Sequence, residues 1–525
     1  MKADSFLLGF FACVAGVAAH TSPPPQVTLP QGRILGTRDS HNSSVFLGIP
    51  YAATTGGANR WRPPQDLSTS TETFNATEYG PTCPQAITNS YFTRQDEDCL
   101  SINIWAPSNA TDLPVFVYMY GGAMVTGSSS NSQLQGNNFA RKGVVYVSFN
   151  TRESIWASPN SLELGGKNET QNFSILDVEK AMEWIHDHIA AFGGNPSHII
   201  FGGHSSGSVH VDHYLWNHPT TFLAGAVQMS ANAISGPAYA PPNIALDIVA
   251  AEVGCNSGTG QLECLRNVSF SDIQTASFNA TTNSWFTPVI DNITRHSDYA
   301  ARFAQGEYAS HVPLLTGNSD GEGTIFSIVY SVENSNFSEW IDTFDADSGH
   351  IPDEVLLTAY KPLLANASDA AASVSGIQYG DARFDCAVDY MVDLRSAVQD
   401  TWEYRFFGAY DNVVGPRGTA PTHGTEVPFF LGGNECFDTL SNVTQAQQDL
   451  ADEINDWFVA WIKDPAAGPG WEKVQPVNGT LAKLGVPGAS ELERVPGRTA
   501  EHNARCQGVY KPYFPDYPSV RNPAR

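Results

Sequence analysis

Positive charge is scarce in this 525-residue chain, which has 28 Lys and Arg against 54 Asp and Glu and a formal net charge of −26. A phosphate-binding surface needs a Lys/Arg surplus, so the balance argues against nucleic acid as a partner, and equally against an anionic membrane surface. Long apolar runs are also missing. The longest, residues 6–19, has fourteen residues, short of the ~20 that a membrane-spanning helix needs. No Cys/His spacing resembles a zinc site, so no metal is expected. Internal repeats, long linkers and low-complexity tracts are absent as well. What remains is a globular composition, 42% hydrophobic and 11% aromatic, which excludes disorder as a global description.

The short apolar run follows Lys2 and ends in small residues, with Val17 and Ala19 before His20. This is the pattern of a secretory signal, so residues 1–19 are expected to be removed and residues 20–525 to form a single domain outside the cell. Twelve N-x-S/T sequons agree with secretion: Asn42, Asn75, Asn109, Asn168, Asn172, Asn267, Asn279, Asn292, Asn336, Asn366, Asn442 and Asn478. Of eight cysteines, Cys13 leaves with the signal and seven remain, an odd number that leaves at least one thiol outside any internal bridge. Residues 20–30, rich in Pro and Thr, read as an extended arm.

Six short runs are apolar on both faces: residues 115–120, 144–149, 198–201, 226–229, 312–315 and 404–407. A parallel sheet covered by helices requires such strands. Helical periods lie between them. Ile175, Val178, Met182, Ile185 and Ile189 form one apolar stripe, stopped by Gly193, Gly194 and Pro196. Leu450, Ile454, Trp457, Phe458, Trp461 and Ile462 form another, stopped at Pro465. Strands alternating with helices predict an α/β fold, a mostly parallel sheet wound by right-handed crossovers. Residues 236–312 and 327–400 break the rhythm and read as insertions over one end of the sheet.

The segment that carries chemistry is Gly203-His204-Ser205-Ser206-Gly207, directly after the apolar run 198–201 and before a helix-compatible stretch. G-x-S-x-G alone is weak, but strand, motif and helix in that order describe a turn so sharp that only glycine fits beside the serine. The hydroxyl of Ser205 is pushed out at the strand end, and the N–H of Ser206 opens the helix facing a developing oxyanion. A second glycine loop, Tyr120-Gly121-Gly122-Ala123-Met124, also follows a buried strand and can point N–H groups into a cleft. Serine needs a base, and the base needs an orienting carboxylate; chain order in this fold runs serine, acid, histidine. Asp320 and Glu322 follow one strand and His423 follows another. With fourteen histidines in the chain, position alone does not choose among them.

Several further motifs stand in one order: Gly48-Ile49-Pro50-Tyr51-Ala52, Arg60-Trp61-Arg62-Pro63-Pro64, Glu97-Asp98-Cys99-Leu100, and Phe192-Gly193-Gly194-Asn195-Pro196 just before the serine strand. Together, over about residues 36–514, they resemble the type B carboxylesterases, the α/β-hydrolase family that includes cholinesterases and fungal lipases. The resemblance implies an α/β-hydrolase fold with insertions forming a cap over an active-site gorge. It implies Ser205 as nucleophile, Glu322 as acid with Asp320 the runner-up, His423 as base, and the N–H groups of Gly122, Ala123 and Ser206 as the oxyanion hole. It implies the disulfides Cys83–Cys99, Cys255–Cys264 and Cys386–Cys506, with Cys436 the odd thiol, and neither metal nor organic cofactor. The chain departs from its relatives at His204, where most carry Glu, and at Ala123 and Met124, where Gly and an aromatic are usual.

The resulting expectation is a secreted serine hydrolase of small, soluble carboxylic esters. The Cys83–Cys99 loop is short and polar (Gln85, Thr88, Asn89, Arg94, Gln95, Asp96), unlike the long hydrophobic lid of the family's lipases. It also lacks the tryptophan with which cholinesterases hold quaternary ammonium. Tyr91 and Phe92 are candidates to line the gorge. The rate should fall as His423 is protonated, between about pH 5 and 7 for an ordinary histidine. Two alternatives share the fold: an acyltransferase or tailoring esterase that replaces water with another alcohol, and a non-catalytic binding protein.

Overall fold

The computed structural model describes residues 23–85, 94–165, 169–234, 243–278, 286–329, 337–343, 351–364, 370–410, 412, 420–432, 443–475, 480–486, 493–496 and 504–514. The signal-like residues 1–19, and with them Thr88, Asn89, Tyr91, Phe92 and Cys436, lie outside this set.

The apolar runs become strands of one sheet. In chain order the strands are β1 (Gln26–Leu29), β2 (Gly32–Leu35), β3 (Thr37–Arg38), β4 (Ser44–Pro50), β5 (Thr73–Asn75), β6 (Ser101–Ala106), β7 (Leu113–Met119), β8 (Val145–Phe149), β9 (Gly194–His204), β10 (Leu223–Met229), β11 (Leu314–Ser319), β12 (Thr401–Phe406), β13 (Thr480–Leu484) and β14 (Glu493–Pro496). Among the described residues eleven of them form the main sheet in the order β14-β13-β12-β11-β10-β9-β7-β8-β6-β4-β3. The strands from β8 across to β13 run parallel. Both edges are closed by antiparallel pairs. The fold is the mostly parallel, helix-covered sheet expected from the alternation of strands and helices, and it agrees with the α/β-hydrolase fold that the family resemblance implies.

Burial explains the central strands. Val115, Phe116, Val117, Val145, Val147, Ile199, Ile200 and Phe201 are fully inaccessible because helices cover both faces. Helix α1 (Phe173–His188) buries Ile175, Val178, Met182 and Ile185 on one stripe, and the chain leaves it through Gly193, whose φ of 88° suits glycine. Helix α2 (Ser206–Asn217) follows the serine strand directly. Helix α4 (Gln445–Lys463) buries Ile454, Phe458, Trp461 and Ile462 and stops before Pro465. Its Phe458 meets Phe116 of β7 edge-on, with ring centroids 5.3 Å apart. In α3 (Cys386–Arg395), Arg395 is fully buried and pairs with Asp212 of α2 at 2.5 Å, tying the second insertion to the helix behind the serine.

The described parts of both insertions are helical. The first builds a small core of its own, in which Leu246, Val249, Leu265 and Ile273 pack with Trp61 and Trp156. Arg60 anchors it with a bidentate pair to Glu97 and bonds to the carbonyls of Leu265 and Val268. Disulfides join Cys83 to Cys99, Cys255 to Cys264 and Cys386 to Cys506.

Two expectations need correction. The Pro/Thr-rich N-terminal stretch is an arm only in part: β1 pairs antiparallel with β2, because Leu29 and Ile34 have an apolar surface to cover. Asn172 is a sequon without room for a glycan. Its side chain is fully buried, and its amide donates to Val289 O, Asp291 Oδ2 and Thr294 Oγ1. Asn75, Asn109, Asn267 and Asn292 are exposed and Asn42 is half-buried, while Asn168, Asn279, Asn336, Asn366, Asn442 and Asn478 lie outside the described residues.

Candidate active site

The carboxyl ends of β9, β10, β11 and β12 form one rim, the place where parallel α/β sheets bind ligands. Ser205 stands at the top of β9 with φ 56° and ψ −126°, a conformation costly for a side chain with a Cβ. The surroundings enforce it. Its N–H donates to Met229 O at 2.8 Å, and its carbonyl accepts from Val209 N in the first turn of α2. A Cβ on Gly203 would lie 2.5 Å from the Gly207 carbonyl, and one on Gly207 would lie 2.3 Å from Met119 O. Glycine on both sides is therefore what lets β9 turn into α2 within one residue.

His423 reaches Ser205 from the turn after β12. Its Nε2 lies 2.7 Å from Ser205 Oγ and its Nδ1 2.5 Å from Glu322 Oε2. Glu322 lies three residues past the end of β11, in a turn tied to the histidine turn by Gly321 N donating to Pro421 O at 2.9 Å. Glu322 Oε1 accepts from Ser319 N and from Ser230 Oγ, at 2.7 and 2.6 Å. Among the described residues it is thus Glu322, not Asp320, that meets His423. The backbone N–H of Asp320 is held by Phe406 O, and its side chain stands by Arg405.

Burial sets the charges. It pushes His423 down to about 4, below the window expected for an ordinary histidine. It pushes Glu322 up to about 8, helped by the neighbouring carboxyl of Glu426. Phe384 and Phe326 lie against the His423 ring, with centroids 4.4 and 5.3 Å away, and exclude water from it.

The second glycine loop lies beside the serine. Gly122, Ala123 and Met124 have successive φ values of 142°, 56° and 61°. A Cβ on Gly122 would collide with Thr126 O at 1.8 Å. Among the described residues no acceptor takes the N–H of Gly122, Ala123 or Ser206; the last is an unpaired donor of a helix start. Met124 is buried with Val209, Ala231 and Phe384 in a small apolar cluster behind the glycine loop. The loop is pinned by a residue read from the sequence as part of a short polar loop. Gln85 is fully buried, accepts from Gly127 N and Thr126 Oγ1 and donates to Gly127 O. Gln95 likewise turns inward, accepting from Gln85 N and Gln274 Nε2.

His204 is buried, as a structural histidine would be, but its Nε2 has no hydrogen-bond partner. Its ring lies 4.5 Å from that of His423, and burial pushes it down to about 4. The sequence reading missed Ser230, Ser319 and Glu426. All three sit at the same strand ends or in the same turn as the residues it named, and that location is the one signal that could have found them. Among the described residues no group of side chains could hold a metal ion, and no helix is long and apolar enough to cross a membrane.

Comparison with known proteins agrees with the geometry. Residues 23–500 match the model of the Carboxylesterase family. Lipase 4 of Diutina rugosa is 29% identical over 368 residues, 60% of this chain, so the match spans only 65% of that lipase's length. Chlorogenic acid esterase of Aspergillus niger is 29% identical over 58% of this chain and 65% of its own. Para-nitrobenzyl esterase of Bacillus subtilis is 25% identical over 83% of this chain and 89% of its own. A solved PNB esterase structure superposes with a TM-score of 0.76 at 23% identity, covering 92% of this chain and 100% of that one.

Proposed function

We propose that this chain, which belongs to the carboxylesterase family, hydrolyses soluble carboxylic esters through an acyl-enzyme on Ser205. The observation that carries the reading is the continuous line Ser205 Oγ, His423 Nε2, His423 Nδ1, Glu322 Oε2, with contacts of 2.7 and 2.5 Å. The neutral His423 accepts the Ser205 proton as Oγ adds to the ester carbonyl. Glu322 holds the Nδ1–H and stabilises the imidazolium that forms. The N–H groups of Gly122, Ala123 and Ser206 take the oxyanion, each worth about 3 kcal/mol of barrier. His423 then protonates the leaving alcohol, and water, deprotonated by the same ring, releases the acid and regenerates the serine. Neither a metal nor an organic cofactor has a part in these steps.

Small esters are favoured over lipid aggregates by the short Cys83–Cys99 loop, whose Gln85 and Gln95 anchor the glycine loop rather than presenting an apolar lid. Secretion is supported by three disulfides, by the signal-like N-terminus and by the exposed sequons. The test is hydrolysis of 4-nitrophenyl acetate, butyrate, octanoate and palmitate by the wild type and by Ser205→Ala. Loss of the nucleophile should cost roughly 10⁶-fold in kcat, the scale seen for serine triads. Activity that survives the substitution in a folded protein would move the nucleophile elsewhere. A rate optimum at palmitate would replace the soluble-ester reading with an interfacial one. Ester products with an added alcohol that outpace hydrolysis would make the enzyme an acyltransferase.

A further inference from the structure

The oxyanion loop is braced from behind by one tyrosine. Tyr120 follows β7 directly and opens the glycine loop, with its ring buried. A Cβ on Gly127 would lie 2.4 Å from that ring, and one on Gly207 would lie 2.5 Å from the Tyr120 carbonyl. The loop 121–127 thus leaves Tyr120 and comes back onto it, while the first turn of α2 rests on the same residue. A shift of Tyr120 would move the oxyanion loop against the serine.

The far end of the ring is held by a carboxyl that the reaction steps do not use. Tyr120 Oη donates to Glu153 Oε1 at 2.9 Å and accepts from Thr151 N at 3.2 Å. Glu153 stands four residues past the end of β8 and is buried. The next residue, Ser154, is buried with φ 52° and donates its N–H to Met124 O at 2.9 Å. Two consecutive residues therefore hold the loop, one at its root and one at its middle. Between those two points lie Gly122 and Ala123, whose N–H groups are offered to the oxyanion.

The loop needs such support. Ala123 and Met124 sit at φ 56° and 61°, a region costly for residues with a side chain. Val125 N and Thr126 N both donate to Gly122 O at 3.1 Å, which closes the turn on itself without fixing it relative to Ser205. Glu153 and Ser154 can fix it, because they follow β8, which pairs with β7 in the sheet that carries the serine strand. The carboxyl is also an expensive partner for one hydroxyl. The adjacent cation is committed elsewhere, with Arg152 Nε and Nη2 on Asp177 and Nη1 on Arg62 O. Burial pushes Glu153 well above the usual carboxyl range, only partly offset by its hydrogen bonds with Tyr120 and Thr151. A backbone carbonyl or a water would satisfy a tyrosine hydroxyl at lower cost.

We propose that Glu153 is a positioning residue of the reaction, which acts through Tyr120 to keep the N–H groups of Gly122 and Ala123 aimed at the oxyanion on Ser205. The proposal rests on the Ser205 reading above. These donors matter most once the carbonyl oxygen has become an alkoxide, so their misalignment costs rate rather than substrate binding.

Three measurements test this. Glu153→Ala should lower kcat about tenfold or more, part of the roughly 10²–10³ that one oxyanion donor supplies, with KM within about twofold of wild type. The second probe is a short-chain alkyl trifluoromethyl ketone. Ser205 Oγ adds to its carbonyl carbon, the proton passes to His423, and the carbonyl oxygen becomes an alkoxide. Glu153→Ala should weaken this inhibitor by the same factor as kcat. Third, Glu153→Gln keeps an acceptor for the Tyr120 hydroxyl and should return both quantities to within about threefold of wild type. Wild-type kcat in Glu153→Ala would overturn the proposal. So would a fall in kcat that leaves the affinity of the ketone unchanged, or one that Glu153→Gln does not recover. If Glu153→Ala does not fold, Tyr120→Phe removes only the hydroxyl and should show the same paired loss; wild-type values there overturn the proposal. If neither variant folds, a crystal structure of the wild-type ketone adduct decides. An alkoxide bonded by Gly122 and Ala123 N–H with Tyr120 still on Glu153 supports the proposal, and the same alkoxide with that contact broken refutes it. Failure of the underlying reading would show separately, as activity retained by Ser205→Ala or a wild type that forms no ketone adduct.

Discussion

Acidification is the most informative perturbation, because burial and not sequence sets the proton affinity of the base. A solvated histidine titrates near 6.5, so at pH 5.5 only about 9% of it would be neutral and able to accept the Ser205 proton. With His423 pushed down to about 4, about 97% is neutral at that pH. The enzyme should therefore retain nearly its plateau kcat/KM at pH 5.5, about ten times what an exposed base would allow. The assay is kcat/KM for 4-nitrophenyl acetate from pH 3.5 to 8, with nitrophenol read where its two forms absorb equally. Each sample is returned to neutral pH afterwards to separate titration from unfolding. A half-maximal rate near pH 6.5 would refute the reasoning. The sign for stability can be worked in the same way. His204 and His210 are buried and His423 nearly so, all with affinities lowered to about 4, so the unfolded chain binds more protons than the native one between about 4 and 6.5. Their neutral burial is tolerated above 6.5 and penalised as pH falls towards 4, by up to about 3 kcal/mol each. These three histidines together contribute a loss of stability on acidification below 6.5.

Gly207→Ala should abolish both activity and soluble folding, because the new methyl would stand 2.3 Å from Met119 O, where backbone cannot give way; recovery of native, active protein would show that the elbow can relax. Glycopeptide mass spectrometry of the protein expressed in a glycosylating eukaryotic host should find Asn172 unoccupied, since its amide is consumed by three internal acceptors; a glycan there would contradict the packing of α1. Removing the bridges one at a time by paired Cys→Ser substitution should destabilise in the order of loop length, with separations of 9, 16 and 120 residues. Chain entropy assigns about 2.6, 3.1 and 4.9 kcal/mol to the three, and thermal melts in which losing Cys386–Cys506 costs least would reject that account.

The elements that could be read in advance were those in which one short stretch of chain carries the whole signal. The apolar runs became β7 to β12 because a strand buried on both faces has no polar position to hide it. The stripes of α1 and α4 were visible because each helix buries one face, and Ser205 because strand, glycine turn and helix are contiguous. The N-terminal strand β1 was read as an arm because four residues of mixed polarity become a strand only when a partner is supplied.

Sequence alone therefore determined the sheet, its winding helices, the serine elbow and, through resemblance, a short list of partners for that serine. Resemblance had already ranked Glu322 above Asp320 as the acid; tertiary structure supplies the reason, since the two are two residues apart and the turn after β11 brings Glu322 to His423. It decided that Asn172 is a core residue and that Gln85 pins the glycine loop, because burial depends on segments far away in the chain. It brought Ser230, Ser319 and Glu426 together from three separate elements into one buried hydrogen-bonded group. No local pattern encodes such a group, because its energy exists only when water has been excluded by the whole fold.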